Sequence, residues 1–183
     1  MSTDGGFPQA PPPEAVTTRT EHQAAVSHWL LAGARSASEA HTGWEESGTA
    51  WLCPDQLFTA VIVPADVVHA ALGRSTPRAC AAPLASTLVG PVFYSPEGFG
   101  PQGAYTVLLP PHTGEAWDVP GAVVHPASAL LLVPDPGKCE PTEGPWWVVP
   151  LASPDQLGSL YLLTALVVMG RDRLGRSGGG PHV

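Results

Sequence analysis

Apolar residues recur along this chain at two spacings, and the switches between them mark out its elements. Over residues 21–35, Ala25, Trp29 and Ala32 share one helical face with Val26 and Leu30 beside it, which predicts a helix. A shorter helix is expected over 38–46, carrying Trp44 toward the interior. Residues 49–54 then lead into 57–63 (LFTAVIV), a β-branched and aromatic run that reads as a buried strand. Val67, Val68, Ala71 and Leu72 place a helical stripe on 65–72, with Pro64 suited to its first turn and Gly73 to its C-cap. Thr76 and Pro77 open another helix, with Ala81, Leu84 and Leu88 on one side, and Gly90-Pro91 ends it.

The second half is rich in strands. Strands are expected at 91–94 (PVFY), 104–109 (AYTVLL), weakly at 119–124, at 129–133 (ALLLV) and at 146–149 (WWVV). A glycine-rich turn occupies 95–103, and a polar, proline-rich loop occupies 134–145. Ser153-Pro154-Asp155-Gln156 combines a capping hydroxyl, a first-turn proline and an acid, so a last helix is predicted from there to Met169, with Gly170 closing it. This order predicts an α/β (α+β) fold, a single mixed sheet with flanking helices. The folded unit is expected over 21–170, with no internal repeat. Residues 1–20 and 171–183 are proline-, glycine- and polar-rich and are expected to be disordered tails.

Composition narrows the partners. The chain has 183 residues, one domain's worth, and is 44% hydrophobic but only 13% charged, with a net charge of −8. Arg171, Arg173 and Arg176 lie at one end and Arg19 at the other, leaving Arg35, Arg74, Arg78 and Lys138 for the folded unit. Phosphate-backbone binding needs clustered cations, so nucleic acid is not the expected partner and a protein is. Three widely spaced cysteines, Cys53, Cys80 and Cys139, do not make a disulfide framework. No basic segment followed by an apolar run opens the chain, and the longest apolar run, 160–169, falls short of the roughly 20 residues that span a bilayer. A cytoplasmic protein with no membrane association is expected.

Candidate chemistry is sparse. There is no nucleophile elbow, phosphate-cradling glycine loop or paired-cysteine metal motif. Nucleotidyl transfer with two metal ions needs converging carboxylates, and the strands expected at 57–63, 104–109 and 129–133 contain neither Asp nor Glu. Asp118 is the acid nearest a strand edge, Glu115 lies three residues before it, and His112 and His125 flank the pair. These four are the candidate catalytic residues, and ordinary loop histidines are the simpler account of two of them. Trp146 and Trp147 alternate across a strand, so one of them is expected on the surface as a partner contact.

In order along the chain stand WLCPDQLFTAVIVPADVVHAALG, GPVFYSPEGFGPQGAYTVLLPP, WDVPGAVVHPASALLLVPDP and WWVVPLASPDQL, after the lead-in HWLLAGARSASEAHTGWEESGTAW. Together, over residues 28–157, they resemble actinobacterial proteins related to the bifunctional DNA primase/polymerase (Prim-Pol) N-terminal domain. The resemblance implies an α/β module with an RRM-like sheet. Active members use an Asp-x-Asp pair on a strand, a histidine in a glycine-rich hairpin and a later aspartate. This sequence has no Asp-x-Asp, reads Gln102-Gly103-Ala104-Tyr105 where the histidine would stand, and matches only the later aspartate, with Asp118. One acid cannot hold two Mg²⁺ ions and position a nucleotide. The expectation is therefore a catalytically inactive Prim-Pol-like domain, without a cofactor, acting through binding to a protein. One alternative is an active primase/polymerase-type nucleotidyltransferase or nucleotide-binding enzyme with a non-standard Mg²⁺ site of Asp118, Glu115, His112 and His125. Another is a structural or assembly component of a phage, plasmid or secretion-like system.

Overall fold

A computed structural model describes residues 19–54, 56–98, 100–154 and 156–178. Helix α1 spans Arg19–Leu31 and α2 spans Ala37–Ser47; strands β1 (Thr49–Leu52) and β2 (Thr59–Pro64) follow. Helices α3 (Ala65–Leu72) and α4 (Pro77–Leu88) come next, then β3 (Val92–Ser95) and β4 (Ala104–Leu109). A 3₁₀ turn at Thr113–Ala116, the short strands β5 (Val123–Val124), β6 (Leu131–Pro134) and β7 (Trp146–Val149), and helix α5 (Leu160–Gly178) complete the order.

Local chemistry accounts for several boundaries. Ser36 caps α2 by accepting from the Glu39 amide, and Gly48 ends it in the left-handed conformation with its N–H on the Trp44 carbonyl. Thr76 caps α4 at the Ala79 amide, with Pro77 in the first turn. Gly73 closes α3 with φ near 62°. Pro64 stands one position earlier than the sequence suggests: it ends β2, and the Ala65 amide donates to the Gly103 carbonyl at 3.0 Å.

The α+β class is observed, with two departures from a single mixed sheet. The main sheet has the order β5-β2-β4-β3-β7 with every pairing antiparallel, and β1 and β6 form a separate antiparallel pair. Residues 49–52, expected to be a lead-in, are strand because they pair with 131–134 more than 75 residues further on. Both faces of the main sheet are covered. Val61, Val63, Val92, Tyr105, Val107 and Trp146 turn toward α3, α4 and α5. Ala60, Phe93, Leu108 and Trp147 turn toward α1, α2 and the β1–β6 pair. Three layers thus enclose two hydrophobic cores, which explains why these strands read as continuous apolar runs.

The same layering overturns the surface role expected for the paired tryptophans. Trp146 and Trp147 do point to opposite faces, but they are 5% and 1% exposed because each face meets its own core. The Trp147 indole N–H is shared between the Pro134 and Asp135 carbonyls at 3.2 and 3.1 Å. The large exposed aromatics are Trp51 and Tyr161 instead.

The C-terminal expectations also change. Ser153 and Pro154 lie in a bend and a turn and Gln156 is outside any helix, so no helix starts there. The Gly158 amide is bonded to the Leu108 carbonyl at 2.8 Å, so this segment runs along β4 before the helix can begin. Helix α5 then continues through Gly170 and takes in 171–178, which the sequence reading had assigned to a disordered tail. Gly170 serves close packing rather than termination: a Cβ there would lie 2.1 Å from the Val67 carbonyl oxygen of α3. Arg173 fixes the extension by donating to the Ala70 and Ala71 carbonyls at 3.1 and 2.7 Å. The remaining tail residues, 1–18 and 179–183, lie outside those described. Among the described residues, no helix is long and apolar enough to cross a membrane.

Gly90 is similarly committed, since a Cβ there would lie 2.3 Å from the Gly158 backbone. The left-handed residue ending α4 is consequently Val89, with φ near 55° and a side chain 56% exposed. Two substitutions test these assignments by urea denaturation. Gly170→Ala is expected to lower stability by about 1–3 kcal/mol through overpacking, with the slope unchanged. Val89→Asn is expected to raise it by roughly 1 kcal/mol by relieving the left-handed strain.

Candidate functional site

The four residues singled out from sequence are only partly brought together. His112, Glu115 and His125 line one cleft of about 290 Å³ beside Phe58, Thr59 and Val124, and Asp118 is outside it, on the surface. The 3₁₀ turn sets His112 Nδ1 3.8 Å from Glu115 Oε1, with both side chains well exposed. His112 Nε2 is 3.3 Å from Gln56 Oε1. His125 belongs to the sheet edge: its amide donates to the Ala60 carbonyl at 2.9 Å, and its Nε2 lies 3.3 Å from the Ala129 carbonyl oxygen, to which only a protonated nitrogen can donate. Among the described residues, no three His, Cys, Asp or Glu side chains converge closely enough to hold a metal ion. The cleft joins one carboxylate to two imidazoles, one of them engaged with backbone.

A second polar arrangement was invisible to sequence reasoning because its members come from α3, α4 and β4. His69 Nε2 is 3.0 Å from the Tyr105 hydroxyl, their rings meeting edge to face. Tyr105 in turn contacts the buried thiol of Cys80. Burial, reinforced by the bond to Cys80 and by the charges of Cys80 and Tyr94, pushes the Tyr105 phenol far above its ordinary range. Burial also raises the Cys80 thiol, against smaller opposing effects of the Tyr105 bond and the Arg74 charge. Tyr94 is raised by burial alone, and its hydroxyl donates to the Gln102 carbonyl at 2.7 Å. The groove outside, about 900 Å³, is broad and lined by Asp66, His69, Arg74, Ser75, Tyr94 and Gln102. A thiol and phenol held neutral do not act as nucleophiles at neutral pH. The line ties α3 and α4 to the sheet.

The third place lies between the two sheets. Ile62, Phe93, Ala104 and Thr106 present the uncovered part of the main sheet to a pocket of about 270 Å³. Leu131 and Leu132 of β6 wall its other side, and Glu97 and Glu143 stand on the loops at its mouth. Thr106 is 3% exposed and lines this pocket, and its hydroxyl makes no side-chain hydrogen bond among the described residues; the fully buried side-chain polar atom left without a partner among them is the Trp117 indole N–H instead. Neither Glu97 nor Glu143 is ion-paired among the described residues, whereas Glu140 on the same loop pairs with Arg78 at 3.1 Å. The strand positions open to this pocket are thus hydrocarbon and the hydroxyls of Ser95 and Thr106, not the acid pair that the Prim-Pol resemblance would require. Threonine within an otherwise apolar strand was the one sequence signal available for it.

The neutral Tyr105, Tyr94 and Cys80 carry a pH consequence. All three have folded-state values above their unfolded ones, so the unfolded chain loses their protons first as pH rises. Their contribution is intact below about pH 8.5 and declines through the ordinary thiol and phenol values near 8.5 and 10. The urea midpoint is expected to fall across that window in the wild type, and to fall less in Tyr105→Phe. A midpoint independent of pH between 8 and 11 would contradict the buried neutral phenol. Neither a protein-family model, nor a curated protein, nor a solved structure matches this chain.

Proposed function

We propose that this chain is a catalytically inactive, Prim-Pol-like domain that works by binding another protein in the cytoplasm, with no metal cofactor. The observation that carries the reading is the lining of the pocket on the main sheet. Metal-assisted phosphoryl transfer needs oxygen anions fixed on a rigid surface, and this surface offers Ile62, Phe93, Ser95, Ala104 and Thr106. Its carboxylates, Glu97 and Glu143, are exposed on loops at the rim. The basic residues do not assemble a phosphate-binding track either. Arg78 is paired with Glu140, Arg173 is bonded to the end of α3, and the net charge is −8.

The rival enzyme reading draws on the shared cleft of His112, Glu115 and His125. It lacks Asp118, the residue that the resemblance would make indispensable. A primed-template extension assay with the full chain, deoxynucleotides and Mg²⁺ or Mn²⁺ separates the two. The expected outcome is no product from the wild type. Extension by the wild type that Asp118→Asn or Glu115→Gln abolishes would overturn the proposal.

A further inference from the structure

We infer that the pocket between the two sheets docks a basic segment of a partner protein, seating one apolar side chain against Thr106 while flanking cations meet Glu97 and Glu143. This deepens the binding reading above and rests on it. Three features of the site converge. The walls are hydrocarbon from both sheets: Ile62, Phe93 and Ala104 on one side, Leu131 and Leu132 on the other. The floor carries the unbonded hydroxyl of Thr106, a 3% exposed residue, able to donate to or accept from a peptide group brought against it. The mouth carries Glu97 from the β3–β4 turn and Glu143 from the 134–145 loop, neither ion-paired among the described residues. Lys138 is the nearby counter-charge. Its Nζ packs toward Gly48 and Gly144, and it is in no ion pair with either acid.

Charge selects the occupant. Residues 1–18 contain Asp4 and Glu14 but neither Lys nor Arg, and residues 179–183 contain no Lys or Arg, so these two segments lack the cations that the rim calls for. A second copy, at net charge −8, is repelled as a whole. The same two carboxylates repel a phosphate backbone. A basic polypeptide is attracted by the overall field and by the rim, and its apolar anchor gains from leaving water, the usual division of labour between electrostatic steering and a buried hot spot.

The test is methyl-resolved NMR on the full chain, titrated with capped pentapeptides. The first peptide carries leucine between two arginines; in the second, glycine replaces the leucine; in the third, glutamates replace the arginines. The first is expected to shift the methyl signals of Ile62, Thr106, Leu131 and Leu132 saturably, and the other two to bind at least ten-fold more weakly. Glu97→Gln with Glu143→Gln, both exposed and safe for folding, is expected to weaken the first peptide about ten-fold. Thr106→Val is expected to weaken it with the fold retained. No saturable shift with any peptide, or equal binding of the acidic one, overturns the docking assignment. Nucleotide incorporation in the extension assay overturns the parent reading instead, so the two failures are distinguishable.

Discussion

Burial of the five-stranded sheet on both faces is the constraint from which the other features follow. A strand covered on one side alternates apolar and polar residues; a strand covered on both has no place for a charge unless it is paired. Here α3, α4 and α5 close one face, and α1, α2 and the β1–β6 pair close most of the other. The seven strands accordingly contain no Asp, Glu, Lys, Arg or His. The polar side-chain groups they do contribute are hydroxyls and tryptophan indoles, and the buried hydroxyl residues are Tyr105, held by His69 and Cys80, and Thr59 and Thr106.

This arrangement separates the groups that hold the layers together from those the proposed docking would use. Tyr105 faces the helical layer, where its hydroxyl joins α3 and α4 to the sheet, and its resistance to ionisation reflects how dry that layer is. Thr106, the next residue, faces the opposite layer at a stretch that the β1–β6 pair does not fill. Adjacent strand residues thus serve different ends because alternation puts them on different faces. The described acids lie on loops and helix surfaces, where water keeps their charge cheap.

What the sequence made legible was local. Thr76 and Pro77 announce a helix start, and Gly73 marks a helix end, through hydrogen bonds and dihedral angles set within a few residues. The alternation of Trp146 and Trp147 was equally readable. Their burial was not, because it depends on a layer built from distant segments. The pairing of β1 with β6 was hidden for the same reason. Gly170 reads as a helix end from sequence, and the proximity of Val67 shows that it serves close packing instead. At the candidate site, the absence of strand carboxylates could be read directly. The grouping of Thr106 with Leu131, Glu97 and Glu143 could not, since it joins three segments remote in sequence.

The central claim is that the main sheet offers an apolar docking surface and no seat for divalent cations. Paramagnetic line broadening by Mn²⁺ reads this most directly, because a bound ion broadens methyl signals within its reach. The account predicts uniform, weak broadening of Ile62, Leu131, Leu132 and Thr106, no greater than at exposed methyls elsewhere. Selective, saturable broadening of those four at micromolar Mn²⁺, reversed by excess Mg²⁺, would contradict it.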